Sequence, residues 1–381
     1  MRIAILQGAF LPVPTILGGA VEKMWFSLGK EFARQGHEVL HVSRLVGELP
    51  ASELIDGVQH MRIPGFNTPR SGLVLKFQDL RYTLRTRPVF STKFDVIISN
   101  TFWAPILLPK QAQQVCMVDV QRMPKKQMWL YRHVARLRAN SSAVVTAIQH
   151  ELPAHLHKKV VMIPNPLPFV PTETVDSNQK KPVILYVGRI HPEKGLELLI
   201  RAYRQTDQQY SLKVVGPYDV AAGGGGIAYL NTLKTLAGSA PIEFAGPMYD
   251  IDALNRLYAE ASIFVYPSVA EKGETFGLAP LEAMAWGCVP IVSNLACFKD
   301  FIVPQQNGLI FDHRASNAVI QLARYISDLQ QDHRDRQRLG QNALHVRQTH
   351  SIKHIAQLFL TDFQHIQNEQ HGIDRRPALH A

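Results

Sequence analysis

The sequence is poor in charge, in cysteine and in uninterrupted apolar runs. Charged residues make up 19% of its 381 positions, and the three cysteines are Cys116, Cys288 and Cys297. An odd number of cysteines without metal-ligand spacing excludes a disulfide framework or zinc site, and fits small buried residues in a reducing cytoplasm. The uncharged stretch 283–298 is broken by glycine, proline, serine and asparagine, and the apolar run at the start is short. We therefore expect neither a signal peptide nor a membrane-spanning helix.

The net charge of +10 is unevenly distributed. Residues 1–170 carry 21 Lys or Arg against 10 Asp or Glu, so the remaining residues are close to neutral. The excess is concentrated between Arg70 and Arg138, where 13 basic residues stand against three aspartates. Such a patch favours a polyanion or the anionic face of a membrane as partner.

Apolar runs of strand length alternate with helix-period segments, which is typical of parallel α/β sheets. In the first half, the pattern predicts strands at 2–8, 38–43, 58–63, 95–99, 115–120, 144–147 and 160–163, and helices near 19–35, 72–86, 127–139 and 150–155. In the second half, it predicts strands at 183–187, 212–215, 242–244, 263–266 and 290–292, and helices near 195–204, 227–236, 251–259 and 278–286.

A polar, proline-containing segment, 164–182, predicts a linker between these two series, and the four glycines 223–226 predict a mobile loop. We therefore expect two doubly wound Rossmann-like domains, 1–170 and 171–350. The segment 351–381 is expected to form a helix that packs back toward the first domain and then a frayed tail. Two such sheets facing each other would bind a ligand in the cleft at the carboxyl ends of their strands.

The segment from Glu274 to Gly287 has the features of a binding loop that leads into a helix. Its sequence is Glu-Thr-Phe-Gly-Leu-Ala-Pro-Leu-Glu-Ala-Met-Ala-Trp-Gly, in which Pro280 suits a first helical turn and Gly287 a helix end. Glu274 is therefore predicted to precede the helix and Glu282 to lie one turn inside it. Two carboxylates beside exposed backbone N–H groups suit a ligand rich in hydroxyl groups. Two solvated glutamates beside a packed helix are the simpler alternative.

A second segment, Gly188-Arg-Ile-His-Pro-Glu-Lys-Gly195, follows a predicted strand and precedes a predicted helix. Arg189 and Lys194 then bracket a strand-to-helix turn, where two cations beside a helix N-terminus can hold a pyrophosphate. Each charge-assisted hydrogen bond contributes about 1.5–3 kcal/mol. Taken alone, the turn fits two solvated cations equally well.

Together these segments resemble the retaining GT-B glycosyltransferases of family 4, most clearly over 182–312. Glu274 and Glu282 match the family's Glu-x7-Glu pattern, and Gly188, Arg189, Lys194 and Gly195 match its Gly-Arg-x4-Lys-Gly turn. Lesser marks in the same order are Gly18-Gly19, Val215-Gly-Pro217, Phe244-Ala-Gly246, Tyr266-Pro-Ser268 and Asn307-Gly308.

The resemblance implies a role for each matching residue. Arg189 and Lys194 would neutralise the diphosphate of a nucleotide-sugar donor, stabilising the leaving group without a metal. Glu274 would contact the donor sugar and Glu282 the ribose hydroxyls. The remaining implied donor-binding residues are Phe276, Gly277 and Leu278 through their N–H groups, Gly246, Pro247 and Met248 around the base, and Gly18 and Gly19 over the phosphates. The donor is a substrate, so no cofactor is implied, and UDP-glucose is the first donor expected.

The chain departs from the family pattern at two places. Many members carry a histidine near the donor sugar at the end of a first-domain strand, where this chain has Val118-Asp-Val-Gln-Arg122. Asp119 is expected to replace that histidine in the catalytic site. Pro166 follows Asn165 where a glycine is frequent, which stiffens the linker. No protein nucleophile is evident, so we expect front-face displacement with the leaving phosphate as base.

Two segments of the basic region combine positive charge with apolar residues. In 73–87 the apolar residues are spaced as one helical stripe beside Lys76, Arg81, Arg85 and Arg87, and the second segment, 125–138, contains Trp129 and Tyr131. One interpretation is docking to an anionic lipid face or a lipid-linked acceptor, which would place the protein at the inner face of the membrane. Another is an amphipathic helix packed on its own core. Nucleic acid is disfavoured because no recognised binding motif accompanies the charge.

The leading hypothesis is an enzyme that transfers a sugar to a glycan or lipid-linked acceptor in polysaccharide or glycolipid biosynthesis. A donor-binding but inactive partner subunit is the alternative from another class. A sugar epimerase or phosphorylase of the same fold is disfavoured, because the sequence lacks a lysine-bound cofactor signature.

Overall fold

The computed structural model describes residues 1–171, 174–175, 179–370 and 372. The chain divides into two compact units, one containing Met1–Pro168 and the described residues from His350 onward, the other containing Phe169–Thr349. Each unit is built around a parallel sheet, which confirms the predicted two-domain α/β class. The three cysteines are buried and unpaired.

The first unit contains an eight-stranded sheet in the order β3-β4-β2-β1-β5-β6-β7-β8. Its strands are β1 (Arg2–Leu6), β2 (Glu38–Leu45), β3 (Ser52–Ile55), β4 (Val58–Pro64), β5 (Val96–Ser99), β6 (Cys116–Val120), β7 (Arg136–Ala139) and β8 (Val160–Met162). Strand β3 is antiparallel and the others are parallel. The helices of this part of the chain are α1 (Ala20–Arg34), α2 (Gly72–Thr86), α3 (Ala104–Leu107), α4 (Lys110–Gln113) and α5 (Ser142–His150).

The second unit contains a six-stranded, all-parallel sheet in the order β11-β10-β9-β12-β13-β14. Its strands are β9 (Lys181–Val187), β10 (Ser211–Val215), β11 (Ile242–Gly246), β12 (Ala261–Tyr266), β13 (Val289–Ser293) and β14 (Leu309–Phe311). Its helices are α6 (Leu196–Tyr203), α7 (Gly226–Ala237), α8 (Ile251–Glu260), α9 (Leu278–Ala285), α10 (Ala318–Gln331), α11 (His333–Ala343) and α12 (Val346–Thr349). Every residue of β12 and β13 is buried, as expected for strands covered by helices on both faces.

The last helix, α13 (Ile352–Gln370), packs on α1 in the first unit. The ring of Trp25 in α1 lies 5.0 Å from that of Phe359, and Phe32 lies 5.7 Å from Phe363. Arg136 of β7 adds ion pairs to Asp362 at 3.2 Å and to Glu369 at 2.7 Å. The tail that was predicted to be frayed lies, apart from Gly372, outside the described residues.

The predicted strand at 144–147 is wrong, because these residues belong to α5. The hydroxyl of Ser141 accepts a hydrogen bond from the Val144 N–H at 3.3 Å and caps the helix. The buried residues of α5 are Val144 and Ile148, which are one helical turn apart. The β-branched composition favoured a strand, and the N-cap and the four-residue spacing favour the helix that forms.

The predicted helix at 127–139 is also wrong. Residues Met128–Tyr131 form a short 3-10 helix, and the residues that follow include strand β7, which pairs with both β6 and β8. The predicted helix at 150–155 is replaced by the 3-10 helix Ala154–Lys159. Pairing of β7 within the sheet decides the first segment against helical periodicity, and Pro153 immediately precedes the 3-10 helix in the second.

Candidate active site

The order of the second sheet creates a crevice at the carboxyl ends of β9 and β12. The chain leaves β9 for β10 on one side and later returns to β12 on the other side. Ligands of open parallel sheets bind where the strand order reverses in this way. The turn after β9 contains residues 188–195 and the loop after β12 contains residues 267–277, so the two sequence motifs meet at this point.

Lys194 and Glu274, which are 80 positions apart in the chain, form a buried ion pair in the crevice. The Lys194 Nζ donates to Glu274 Oε2 at 2.7 Å, with side-chain exposures of 8% and 10%. The same Nζ lies 5.3 Å from the centre of the Tyr266 ring at the end of β12. Two causes raise the pKa of the Tyr266 hydroxyl well above its ordinary value: burial has the larger effect and the nearby Glu274 carboxylate the smaller. The crevice therefore contains a fixed cation, a fixed carboxylate and a neutral phenol.

Arg189 is held in the same turn by two contacts. One guanidinium nitrogen bonds to Glu193 Oε1 at 2.5 Å, and the other donates to the carbonyl of Gly223 at 2.7 Å. The loop at 223–226, which was predicted to be mobile, is closed by backbone hydrogen bonds from all four glycine N–H groups. Arg189 keeps 43% of its side chain exposed and can therefore reach an anion in the crevice.

Helix α9 begins directly after the loop that contains Glu274, so the N–H groups of its first turn face that loop. Gly277 precedes it with φ +93°, and a Cβ at this position would lie 2.4 Å from the Phe298 ring. A side chain larger than hydrogen is therefore excluded at this position. Phe276 is buried beside it and Leu278 is the first residue of the helix. The arrangement is suited to an anion or hydroxyl at the helix start.

Glu282 and the predicted base-binding residues lie at other points of the same sheet edge. Glu282 is in α9, and its Oε2 accepts a hydrogen bond from the Tyr258 hydroxyl at 3.1 Å. Gly246 ends β11, immediately before Pro247 and Met248, and its carbonyl accepts the N–H of Gly216 at 2.8 Å. A Cβ on Gly216 would lie 1.8 Å from the carbonyl oxygen of Gly188, so the loops after β9, β10 and β11 touch.

The first sheet has its own crevice at the carboxyl ends of the neighbouring strands β1 and β5, where the strand order reverses, and a cavity of about 490 Å³ lies there. Gly18 and Gly19 lie in the loop before α1, and Gly19 lines the cavity together with Glu22 and Asp119. A Cβ on Gly19 would lie 2.3 Å from the Glu22 carboxylate. Burial raises the pKa of the Glu22 carboxyl above its ordinary value.

Asp119 borders this cavity, and a buried network of hydrogen bonds fixes the position of its carboxylate. One oxygen pairs with Arg138 at 2.7 Å, the other accepts the Trp25 indole N–H at 2.7 Å, and the Gln121 amide donates to both at 3.0 Å. The side chains of Asp119 and Arg138 are both fully buried. Arg138 also donates to Asn165 at 2.8 Å. Asp119 therefore fixes the shape of the cavity floor, and its predicted contact with the donor sugar stays a prediction.

Sequence reasoning missed three polar residues of these sites. Glu193, the partner of Arg189, lies in the turn 188–195, and its spacing of four residues from Arg189 was visible in the sequence. Glu22 follows the paired glycines by three positions, as an acidic residue in a first helical turn often does. Gln121, which lines the first cavity, carried no signal of its own, because an isolated glutamine in a loop is common.

The described residues contain neither a cluster of metal ligands nor a membrane-spanning helix. Within 1–171, 174–175, 179–370 and 372, no three His, Cys, Asp or Glu side chains gather in a way that could hold a metal ion. Over the same residues, no helix is both long enough and apolar enough to cross a bilayer.

The two parallel α/β sheets are those of the GT-B fold. The family model of glycosyl transferases group 1 matches residues 172–346. The chain is 26% identical over 338 residues to a GDP-mannose-dependent alpha-mannosyltransferase of Mycolicibacterium smegmatis, covering 82% of this chain and 84% of that protein. It is 35% identical over 128 residues to an uncharacterized glycosyltransferase of Methanocaldococcus jannaschii, covering 33% of this chain and 31% of that protein.

Solved structures share the fold over nearly the whole chain. Sucrose-phosphate synthase from Thermosynechococcus elongatus has a TM-score of 0.73 at 18% identity, covering 96% of this chain and 99% of its own. HepE from Anabaena in complex with UDP-glucose has a TM-score of 0.69 at 17% identity, covering 96% of this chain and 100% of its own. The chain is therefore similar to the group 1 glycosyltransferases over 172–346, and its alignment with the Methanocaldococcus jannaschii protein spans less than a third of that protein's length.

Proposed function

We propose that the protein is an active, retaining glycosyltransferase that moves a hexosyl group from a nucleotide-sugar donor to a glycan or lipid-linked acceptor. The observation that carries this proposal is the crevice between β9 and β12. There Lys194 and Glu274 form a buried ion pair, and Arg189 lies in the same turn with almost half of its side chain exposed. An inactive subunit would have no need for a buried cation and carboxylate held in contact, because burying such a pair is costly.

In the proposed reaction, Arg189 and Lys194 bind the donor diphosphate and stabilise the negative charge that grows on it as the glycosidic bond breaks. The N–H groups at the start of α9 bind the donor sugar beside Glu274. Glu282 accepts hydrogen bonds from the ribose. The leaving phosphate takes the proton of the acceptor hydroxyl, which attacks from the same face, so that the anomeric configuration is retained.

Two fixed cations and a helix N-terminus supply the charge that a divalent metal would otherwise provide, so we propose a metal-independent reaction. UDP-glucose is the first donor we propose, in keeping with the UDP-glucose complex of HepE, which shares the fold. GDP-mannose is the second, because relatives named GDP-mannose-dependent alpha-mannosyltransferases match 82% and 84% of this chain. The first-sheet cavity is the proposed site of the acceptor. Peripheral association with an anionic membrane face is a separate proposal, which the transfer reaction itself does not require.

A panel of nucleotide sugars, followed by mass spectrometry for slow donor hydrolysis, tests the proposal. We expect turnover of UDP-glucose or GDP-mannose by the wild-type protein and a loss of at least tenfold in Arg189→Ala. Proton NMR of the released or transferred sugar should show the α configuration of the donor. Donor binding without turnover of any panel member, with and without acceptor mixtures, would instead establish an inactive partner subunit.

A further inference from the structure

Helix α2 exposes its apolar stripe and buries its polar face. The stripe consists of Leu73, Phe77, Leu80 and Leu84, of which Leu80 is half-buried. Leu73, Phe77 and Leu84 are 82%, 59% and 52% exposed. At about 100° per residue they share one face of the helix. The residues buried beneath α2 are Asp79, Tyr82, Thr83 and Thr86, which lie on the opposite face. A helix that used its apolar stripe for the core of its own domain would show the reverse pattern.

Basic side chains surround this stripe. Lys76, Arg81, Arg85 and Arg87 are all exposed, and the one acidic residue of the helix, Asp79, is buried. The guanidinium groups of Arg81 and Arg85 stack over the Phe66 ring at 5.6 and 5.1 Å. An apolar stripe between rows of positive charge is typical of helices that lie in the interface of an anionic bilayer.

The segment 125–132 repeats this combination. Trp129 and Leu130 are 51% and 39% exposed, and the Arg132 guanidinium stacks on the Trp129 ring at 3.7 Å. Lys125 and Lys126 are exposed beside them, and the segment contains no acidic residue. Tryptophan is enriched at the level of lipid head groups because one part of its ring system is apolar and another donates a hydrogen bond.

Direct contacts join α2 to this second segment through the wall of the first-sheet cavity. Asp79 accepts the N–H groups of Phe102 and Trp103 at 3.1 and 3.3 Å, and the Trp103 indole donates to the Lys76 carbonyl at 2.8 Å. On the other side, the Tyr131 hydroxyl donates to the Phe102 carbonyl at 3.1 Å. Both Phe102 and Tyr131 line the cavity. The second segment therefore lines the cavity through Tyr131, and α2 packs against Phe102 in the wall of the same cavity.

We propose that Leu73, Val74, Phe77, Leu84, Trp129 and Leu130, with the basic residues around them, form one docking surface for an anionic lipid bilayer. Docking there brings the cavity beside the lipid head groups, so the acceptor is the head group of a membrane lipid. This second step rests on the proposed function, whereas the docking step does not. Two of the 13 basic residues counted from the sequence, Arg136 and Arg138, are buried in ion pairs and take no part.

Co-sedimentation with vesicles tests the docking surface. We expect the wild-type protein to bind vesicles of phosphatidylglycerol and phosphatidylcholine at low salt, and to bind phosphatidylcholine alone weakly. Phe77→Ser combined with Leu84→Ser should lower the partition coefficient at least tenfold, because two apolar side chains no longer enter the interface. Each of Arg81→Ser, Lys125→Ser and Lys126→Ser should lower it about fivefold at low salt and less at high salt.

A matched control is Leu54→Ser combined with Ile320→Ser, since these side chains are 69% and 62% exposed but lie in β3 and α10. The control should bind vesicles as the wild type does. Equal vesicle binding by the Phe77 and control variants would overturn the proposal. So would a wild-type dimer that ignores vesicles and becomes monomeric in the Phe77 variant, because the surface would then join two copies of the chain.

Donor hydrolysis measured on the same samples keeps the two proposals apart. The surface variants should hydrolyse donor at the wild-type rate, because none of the changed residues lies in the second sheet. Wild-type protein that turns over donor but ignores anionic vesicles refutes the docking surface and leaves the proposed function standing. Vesicle binding without any donor turnover refutes the function and leaves the docking surface standing.

Discussion

Replacement of Lys194 by methionine should affect activity and stability through two separate causes. Activity falls because the diphosphate loses a charged hydrogen-bond donor, which contributes about 1.5–3 kcal/mol. This corresponds to a decrease in kcat/KM of about 10- to 150-fold. Stability falls because Glu274, which is 10% exposed and 2.7 Å from the ammonium group, is left as a buried unpaired charge. Breaking one side of a buried pair costs about 3–5 kcal/mol.

The double variant Lys194→Met with Glu274→Gln separates the two causes. Removing both charges should restore most of the lost free energy of unfolding, as measured by urea denaturation, but should restore none of the activity. The matched single variant Glu274→Gln leaves the cation in place and should lose activity with less damage to donor diphosphate binding. Wild-type kcat/KM in a well-folded Lys194→Met protein would refute the assignment of this crevice to the donor.

Three further outcomes follow from the structure. Activity should persist in excess EDTA; abolition by EDTA and restoration by Mn²⁺ would contradict the metal-independent reaction. Gly277→Ala should lower the free energy of unfolding by about 1–3 kcal/mol, because a Cβ would lie 2.4 Å from the Phe298 ring at a φ of +93°; a thermal melt that matches the wild type would contradict it. Burial lowers the pKa of His60 to about 4 and that of the stacked His41 well below its ordinary value, so both stay neutral in the fold and protonate on unfolding. The free energy of unfolding is therefore highest above about pH 6.5 and decreases as the pH falls toward 4, because the unfolded chain binds protons that the folded histidines do not. For His60 alone, the decrease at pH 5 is about 2 kcal/mol. A urea midpoint that does not change from pH 7.5 to 5 would contradict this.

The sequence predicted which residues lie at the crevice beside the carboxyl ends of β9 and β12, but not how they pair. Lys194 and Glu274 were both identified from their motifs, whereas their ion pair depends on β9 lying next to β12. Strand order is a property of the whole sheet, and hydrophobic periodicity reports single strands only. Glu193 was overlooked for a related reason. Its ion pair with Arg189 depends on the three-dimensional shape of the turn, which the sequence pattern does not give.

The first sheet shows how one wrong element changes the interpretation of a residue. Arg138 was counted in the basic patch between Arg70 and Arg138, and the segment 127–139 was predicted to be helical. The segment Arg136–Ala139 is instead strand β7, in which Arg138 stands directly opposite Asp119 of β6. The charge of Arg138 therefore neutralises Asp119 inside the domain. Tertiary pairing overrode the local pattern, as it often does for short segments.

Helix α2 illustrates the opposite case. The helix was predicted correctly from the sequence, but which of its faces is buried could not be predicted. The stripe of Leu73, Phe77, Leu80 and Leu84 was visible in the sequence, and it fitted either the core or a lipid surface. Which face is buried depends on Asp79 and Tyr82 finding partners in the neighbouring loop and core. Such partners come from distant parts of the chain, so periodicity alone left both alternatives open.

Hydrogen–deuterium exchange of the wild-type protein with and without UDP or GDP tests the central claim most directly. If the donor diphosphate binds in the crevice at the carboxyl ends of β9 and β12, the nucleotide should slow exchange in peptides covering 188–195 and 269–278. Arg189→Ala removes a side chain that is 43% exposed, so the fold should be retained, and the variant should show less of that protection at equal nucleotide concentration. Unchanged exchange in both segments, with either nucleotide bound at saturation, would contradict the account.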